Sequence, residues 1–454
     1  MKKIIFFLFI INALNLMAQP KLMRTLPLPT SPRNETQDNY FGQSVADPYR
    51  WLEDDRSAET AEWVKKQNEY TQFYLNQIPY RDFIRTQLST LWNFEKLSAP
   101  IKRGPYFLYY KNDGLQNQSV LYIREGLNGT PRVLIDPNKL NEKGTSALGS
   151  VELSKKQTYT AFAVSQAGSD WQDIVLMETA TGKMLSDTIR YSKFSGISWL
   201  NDEGFYYSGY DAPAPNQSAY SAKTEYQKIF FHKIGTPQSQ DQLIYEDRQN
   251  PLRYKSVRLS EDQQWLVLNL SEGTDGAEIQ IKSVQEKNFK LLCAGYQYNY
   301  DVVDVINNMA YVITNYQAPN YKLVAINPNN PDPKNWKTIL PEKEYKLESV
   351  HRVGNQFIAH YLKNAASEVN AYQLSGQFIR NIKLPGIGTV GGFDGNATDT
   401  QTFFAFTSFN SPAAVYQYNL ADGKVSQYAK PQFSNPLDDL VVEQKWFTSK
   451  DGTK

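Results

Sequence analysis

Two patterns of hydrophobic and polar residues divide the chain. From residue 20 to residue 92 apolar residues recur at helical spacing, as in AETAEWVKKQNEYTQFYLNQI, where Ala61, Val64, Phe73 and Ile78 follow one rough stripe. From residue 93 onward, short aromatic and β-branched runs such as YFLYYKNDG and TYTAFAVSQAG are separated by Gly, Asn, Asp and Pro. The second pattern is typical of short strands joined by turns. We therefore expect a mainly β fold preceded by a short helical segment.

The strand-rich part repeats itself. VELSKKQTYTAFAVS (151–165) and VRLSEDQQWLVLNLS (257–271) share Val, Leu, Ser, an aromatic residue and a closing Ser at the same offsets. Similar units are anchored near seven positions: Lys102, Leu153, Leu200, Leu259, Ile306, Val353 and Phe393. Steps of roughly 40 to 60 residues with about four strands each are typical of β-propeller blades. The repeat predicts a seven-bladed β-propeller over residues 93–437, and a sandwich or a pair of barrels would not produce this period.

The two ends of the chain carry different signals. Residues 1–18 combine two lysines, an apolar run from Ile4 to Met17 and the small Ala18, which predicts a secretory signal peptide. A membrane anchor is the alternative, but the run is shorter than the ~20 apolar residues that span a bilayer. At the other end, the Asp451-Gly452 pair within SKDGTK favours a hairpin turn. Residues 438–454 would then be the first strand and turn of a further domain.

Composition and motifs exclude several functions. The 48 basic and 47 acidic residues leave a net charge of +1, so neither nucleic acid nor an anionic membrane is an expected partner. The single cysteine, Cys293, excludes an internal disulfide. The chain has no Gly-x-Ser-x-Gly motif, and its three histidines, His232, His351 and His360, have no partner at metal-ligand spacing. We therefore expect no cofactor, no metal and no catalytic triad within these residues.

Five segments, in order along the chain, resemble successive segments of prolyl oligopeptidases, serine endopeptidases that cut peptides after proline: ADPYRWLED (46–54), GLQNQSVLY (114–122), SQAGSDWQDI (165–174), FTSFNSPAAVY (406–416) and SKDGTK (449–454). The resemblance implies a seven-bladed propeller that covers an α/β-hydrolase domain and admits only short peptides. It implies that the segment 20–92 packs on the hydrolase domain, and that the triad would lie beyond Lys454. The 454-residue chain alone is then expected to be inactive.

The same resemblance suggests three residues of a substrate-pocket wall. Phe194, in RYSKFSGISW, matches the propeller phenylalanine that packs against the substrate residue two places before the proline. Tyr254 and Thr274 match two further wall positions, where other members carry different residues. The implied partners are short proline-containing peptides and a hydrolase domain.

These observations lead to one interpretation and two alternatives. The chain is interpreted as the exported, periplasmic or secreted, N-terminal and propeller part of a prolyl oligopeptidase, with no membrane contact after signal cleavage. The first alternative is a propeller that works by itself as a binding scaffold, since propellers commonly serve that way. The second is one half of a split enzyme whose hydrolase half is a separate chain.

Overall fold

The computed structural model describes residues 26–212, 224–433, 437 and 439–454, so the predicted signal peptide lies outside the described residues. The described chain is mainly β with a short helical segment, which confirms that part of the prediction. It separates into two compact units: the described residues up to Thr90 belong to the first, and those from Leu91 onward to the second.

The first unit contains a hairpin and helical structure. The hairpin pairs β1 (Gln37–Tyr40) with β2 (Gln43–Ala46) through a Phe41-Gly42 turn in which both residues have positive φ. Helix α1 (Ala58–Leu75) begins after Ser57, whose side chain accepts a hydrogen bond from the Thr60 N–H. This N-cap satisfies one of the free donors of the first turn. Helix α2 (Arg81–Trp92) follows, and a short 3₁₀ turn (Arg50–Glu53) precedes α1.

The second unit consists of consecutive antiparallel sheets. The first sheet has five strands: β3 (Lys96–Leu97), β4 (Ile101–Arg103), β5 (Tyr106–Asn112), β6 (Val120–Glu125) and β7 (Arg132–Ile135). The second has seven strands: β8 (Ser146–Leu153), β9 (Tyr159–Gln166), β10 (Gln172–Glu178), β11 (Met184–Leu200), β12 (Gly204–Gly209), β13 (Lys228–Lys233) and β14 (Gln242–Tyr245).

Four sheets of four strands complete the unit, each with its strands in chain order. The third sheet comprises β15 (Tyr254–Leu259), β16 (Trp265–Ser271), β17 (Ala277–Ser283) and β18 (Lys290–Cys293), and the fourth comprises β19 (Tyr300–Ile306), β20 (Met309–Thr314), β21 (Lys322–Ile326) and β22 (Lys337–Leu340). The fifth comprises β23 (Lys346–Val353), β24 (Gln356–Lys363), β25 (Ala366–Gln373) and β26 (Phe378–Ile382), and the sixth β27 (Thr389–Gly392), β28 (Gln401–Ser408), β29 (Ser411–Asn419) and β30 (Val425–Ala429).

The predicted number of seven blades is wrong. Five sheets, of four or five strands, are single blades, whereas the strands from β8 to β14 form one continuous sheet. The cause is β11, which runs unbroken for 17 residues and pairs with β10 at Ile189 and with β12 at Trp199. Its change of register is absorbed inside the strand, where Tyr191 and Phe194 have positive φ. The repeat places the units near Leu153 and Leu200 in separate blades, whereas β11 connects them within one sheet.

The cores lie between consecutive sheets. Val267 and Ile279 of the third sheet pack with Tyr300 and Val312 of the fourth, all of them nearly inaccessible to solvent. The next cluster joins the fourth sheet to the fifth in the same way. Each sheet therefore covers the face of its neighbour, which is how stacked repeats bury surface that one repeat could not bury alone.

The end of the chain forms a turn. The Ser449 N–H donates to the Thr453 carbonyl over 2.7 Å, and the Gly452 N–H donates to the Ser449 carbonyl over 3.0 Å. The described residues between 439 and 454 contain no strand, so the residues before this turn have no ladder partner there. Among the helices of the described ranges, none combines the length and the apolar character that a bilayer crossing needs.

Candidate functional site

Strands of successive sheets enclose a channel. A cavity of about 750 Å³ is lined by residues of β4, β8, β11, β15, β19 and β23 and of the connection after β27. Side chains of a strand alternate between its two faces, so every second residue of such a strand points to the channel. Small residues occupy several of these positions, among them Ser198 and Ser349. Small side chains at these positions help to leave the channel open inside.

Phe194 and Tyr254 meet beside a separate, smaller cavity. Tyr254 begins β15, and Phe194 lies inside β11 before the half that pairs with β12. Their ring centroids are 5.4 Å apart with the planes nearly perpendicular, an edge-to-face contact. Phe194 is 52% exposed and Tyr254 37%, so neither is a core residue. Two of the three residues that the resemblance suggests are thus neighbours in space, 60 positions apart in sequence.

The pair borders a cavity of about 410 Å³. The remaining residues of its wall are mostly small or polar: Lys255, Ser256, Asn269 and Ser271. Thr274 is not among them. It lines a second cavity of about 360 Å³ that shares Asn269 and Ser271 with the first. The structure therefore brings Phe194 and Tyr254 together and leaves Thr274 one cavity away, and the assignment of the three as a substrate wall stays a prediction.

Gln227 positions the aromatic pair from behind. Its side chain is 1% exposed; Nε2 donates to the Lys193 carbonyl over 2.9 Å, and Oε1 accepts the Lys255 N–H over 2.6 Å. Lys193 precedes Phe194 and Lys255 follows Tyr254, so one buried amide holds the backbone beside both rings. The Lys193 ammonium also lies 5.0 Å from the centre of the Phe194 ring, within cation–π distance. The sequence offered no signal for Gln227, which lies just before β13.

The buried ammonium group of Lys255 lies beside the same cavity. Nζ donates to the Arg253 carbonyl over 2.9 Å, and the residue is 1% exposed. Burial lowers the pKa of this group, against a smaller raising effect of Asp247. Burial disfavours the charged form of an amine because water no longer solvates it.

His232 is part of a buried polar network. Nδ1 lies 2.7 Å from Oδ1 of Asp241, and Nε2 lies 3.3 Å from Oδ2 of Asp187. Asp241 also accepts the Tyr207 hydroxyl over 2.7 Å, and Asp187 accepts the Gly235 N–H over 2.6 Å. Burial by itself lowers the pKa of His232, but the hydrogen bonds and charges of Asp241 and Asp187 outweigh it and raise the pKa.

The other histidines do not form a triad within the described ranges. His360 Nε2 lies 2.8 Å from Ser367 Oγ, but that hydroxyl also accepts the Val390 N–H, and no carboxylate is hydrogen-bonded to His360 in the part of the chain that the structure describes. His351 lines the central channel. Burial lowers the pKa of both imidazoles. Among the described residues, no group of three or more His, Cys, Asp or Glu side chains is placed to hold a metal ion.

Part of the channel wall is charged. Arg103 lies 3.4 Å from Glu152, and Arg352 Nη1 lies 2.7 Å from Asp304 Oδ2, each pair joining two different sheets. Sequence analysis did not identify these charged residues of the channel wall. The signal was present in the edge strands, since KSVRL, YDVVDVI and ESVHRV place charged or polar residues between apolar ones.

Comparison with known proteins identifies a matching family and relatives of similar sequence. Residues 29–431 match the family described as "Prolyl oligopeptidase, N-terminal beta-propeller domain". A prolyl endopeptidase of Elizabethkingia miricola is 42% identical over 431 residues, which cover 95% of this chain. A prolyl endopeptidase of Elizabethkingia meningoseptica is also 42% identical, over 94% of this chain. The chain spans about 61% of the length of each of these two relatives.

Solved structures of similar fold come from proteins of the same kind as the sequence relatives. A structure from a mechanistic study of two prolyl endopeptidases superposes with a TM-score of 0.85 at 30% identity, covering 94% of this chain and 63% of the other. Prolyl oligopeptidase B from Galerina marginata, bound to a 25mer macrocyclization substrate, superposes with a TM-score of 0.82 at 25% identity, covering 94% of this chain and 64% of the other.

Proposed function

Because the chain belongs to the prolyl oligopeptidase family and carries its N-terminal β-propeller domain, we propose that it works in a serine endopeptidase that cleaves short peptides after proline. The chain spans about 61% of its relatives, so the hydrolase domain is a proposed partner, joined to this chain or supplied by another. In this proposal, the role of the 454-residue chain is to admit the peptide and to bind the peptide residues that precede the proline.

The observation that carries this proposal is the half-exposed pair Phe194 and Tyr254. Two aromatic rings beside a cavity of about 410 Å³ offer an apolar surface for one side chain of a peptide. Ser256, Asn269 and Ser271 add hydroxyl and amide groups that can pair with a peptide backbone. An apolar wall with a few polar groups is the usual composition of a small-ligand site.

The chemical step belongs to the hydrolase domain in this proposal. There, a serine activated by histidine attacks the carbonyl after proline, and an oxyanion hole stabilises the tetrahedral intermediate. The residues of this chain contribute binding energy at a distance from the reacting carbonyl. Such contacts orient the peptide, so losing one changes the reaction of extended substrates more than that of minimal ones.

We also propose that the protein is exported. The charged and apolar pattern of residues 1–18 supports this. The buried thiol of Cys293 fits either compartment, because a single cysteine cannot form an internal disulfide. Fractionation of cells that express the full chain, with N-terminal sequencing of the exported product, tests the proposal. A product that keeps Met1 and stays in the cytoplasm would contradict it.

Activity is tested first on the purified chain. We expect no cleavage of a chromogenic Gly-Pro substrate above the uncatalysed rate, because the described residues contain no activated serine. Activity is expected once the C-terminal part of the Elizabethkingia miricola relative is joined after Lys454. Turnover by the chain alone that a serine-directed phosphonate blocks would contradict this division of roles. A joined protein that folds and binds peptides without cleaving them would instead favour a binding scaffold.

The pocket is tested in the joined protein by Phe194→Ala. We expect a higher KM for peptides extended before the proline and an unchanged KM for a minimal substrate, since an aromatic contact contributes roughly 0.5–1.5 kcal/mol beyond area burial. This corresponds to a change of a few-fold to about tenfold. Phe378→Ala is the matched control, because Phe378 is 55% exposed and makes a similar edge contact with Tyr372. Equal effects of Phe194→Ala on both substrates would contradict the assignment.

A further inference from the structure

Four residues with polar groups form one face of the third sheet beside Phe194. In the ladder between β15 and β16, Tyr254 pairs with Ser271, and Ser256 pairs with Asn269. Side chains two positions apart on a strand point to the same side, and so do those directly opposite each other. These four residues therefore share one face, which we call the polar face. All four line the cavity of about 410 Å³.

The polar face has hydrogen-bonding groups that the protein itself does not use. Within the described ranges, the side chains of Ser256, Asn269 and Ser271 have no hydrogen-bond partner in the protein. All three residues are at least partly exposed. Two hydroxyls and one amide can each donate a hydrogen bond. Three donors that line one cavity provide the pairing that an oxygen acceptor of a ligand needs.

Lys255 adds a positive charge that has no ion-pair partner among the described residues. It is 1% exposed and forms part of the cavity wall. Its Nζ donates to the Arg253 carbonyl, which is a neutral acceptor. Asp247 attracts the ammonium from a greater distance, but Asp247 is itself paired with Arg253 over 3.3 Å. Because water solvates a buried cation poorly, an anion nearby would stabilise it.

The acidic residues around the polar face are already paired. Glu272 lies 2.7 Å from Arg253, and Asp301 lies 3.4 Å from Arg258. Among the described residues of the cavity wall there is no carboxylate, and Lys255 carries the only charge. The cavity therefore combines three unused donors with one uncompensated positive charge.

We propose that the polar face binds the acidic side chain of a peptide, with its hydroxyl and amide groups donating to the carboxylate and Lys255 supplying the opposite charge. Phe194 and Tyr254 then pack on the methylene groups of that side chain. A backbone carbonyl would use the same donors, but only a carboxylate also pairs with the charge of Lys255. This inference rests on the proposed function, because it assigns Asp or Glu to the peptide position two places before the proline.

Binding of two tripeptides to the full 454-residue chain tests the proposal. Acetyl-Glu-Gly-Pro-amide and acetyl-Gln-Gly-Pro-amide have nearly the same shape and differ in one charge. Each is titrated to millimolar concentration while ¹H–¹⁵N NMR follows the backbone amides of Ser256, Asn269 and Ser271. We expect the Glu peptide to bind about fivefold more tightly, the effect of an ion pair that solvent can reach. The difference should shrink as salt is added, because ions screen the charges.

Two variants assign the preference to the charge of the cavity wall. Lys255→Met should abolish the difference between the two peptides. Lys282→Met is the matched control and should preserve it: Lys282 belongs to the same sheet, is 7% exposed, and its Nζ donates to the Glu286 carbonyl, but it lies outside this wall. Asn269→Asp places a carboxylate at a partly exposed position and should also abolish the difference, so the test does not depend on the folding of Lys255→Met.

The possible results separate this inference from the proposed function. Equal binding of the two peptides at the polar face would overturn the inference and leave the peptide site in place. A preference that persists in both Lys255→Met and Asn269→Asp would overturn it as well. If neither peptide shifted the amide signals of the polar face, the proposed function and this inference would both be contradicted.

Discussion

At the scale of single residues, the buried imidazole of His232 couples folding to pH. Asp187 and Asp241 face both ring nitrogens, and the histidine itself is fully buried. Protonation lets both nitrogens donate at once, which is why the aspartates favour the imidazolium. A histidine whose pKa is higher in the folded than in the unfolded state stabilises the fold below the unfolded pKa. That contribution is lost as the pH rises through the folded value.

The first prediction concerns this histidine. We expect the wild type to lose free energy of unfolding between about pH 6.5, the ordinary pKa of histidine, and the higher pKa of folded His232. His232→Ala should remove this part of the pH dependence. It should also lower the free energy of unfolding by about 3–5 kcal/mol at pH 6, because two buried carboxylates lose their partner. Urea unfolding at a series of pH values measures both effects.

His360 provides a control, because its pKa is shifted in the direction opposite to that of His232. Burial lowers the pKa of His360, so its contribution to stability is complete above the unfolded pKa and is lost as the pH falls through the folded value. His360→Gln should therefore reduce the loss of stability on the acidic side and leave the alkaline side unchanged. If the free energy of unfolding of the wild type did not fall above pH 6.5, the raised pKa of folded His232 would be contradicted.

At the scale of elements, the contact between the first and last sheets rests on side chains. Strands β5 and β28 meet through Phe107 and Phe403, whose ring centroids are 6.1 Å apart at nearly right angles. Tyr428 of β30 packs on Phe403. The Arg124 guanidinium lies over the ring of Tyr428. In the described ranges, no strand of the last sheet pairs with one of the first. Ring closure therefore depends on this aromatic contact and on the Lys102–Asp399 ion pair.

The second prediction tests this closure with Phe403→Ala. Phe403 is 3% exposed, so we expect the variant to lose about 3–5 kcal/mol of unfolding free energy, as large-to-small changes of buried Phe usually do. The exposed Phe378 again supplies a control, since Phe378→Ala should cost less than about 1 kcal/mol. Urea midpoints and slopes compare the two. Equal costs would mean that the contact between the two sheets is not a principal source of stability.

At the scale of the whole molecule, burial differs sharply between the two units. Among the described residues from 26 to 90, Thr60 is the only buried one, whereas every sheet of the second unit has a buried core. Helix α2 exposes Phe83, Leu88 and Trp92 by 60% or more. Segments with few buried contacts open at low free energy cost. The first unit should therefore be the easier target for a protease.

The third prediction follows from this difference. Limited proteolysis of the 454-residue chain should remove residues up to about 90 and trim the tail after about 433, leaving a resistant core that starts near Leu91. Mass spectrometry of the time course identifies the fragments, and circular dichroism of the core should show β structure with little helix. If residues 58–92 survived as long as the sheets in a dilute sample, the two units would be equally protected and the prediction would be wrong.

Local patterns in the sequence by itself determined the helical segment, the strand-rich part and its repeats, because side-chain periodicity and turn residues act over a few positions. Resemblance supplied Phe194 and Tyr254. Only the tertiary structure decided that β11 joins two repeats into one sheet, since the Ser195-Gly196 pair inside it equally fits a turn between two strands. It also decided which carboxylates surround His232. Asp241 and Asp187 are 9 and 45 positions away in sequence, and the pairing of strands within the seven-stranded sheet brings them within hydrogen-bond distance.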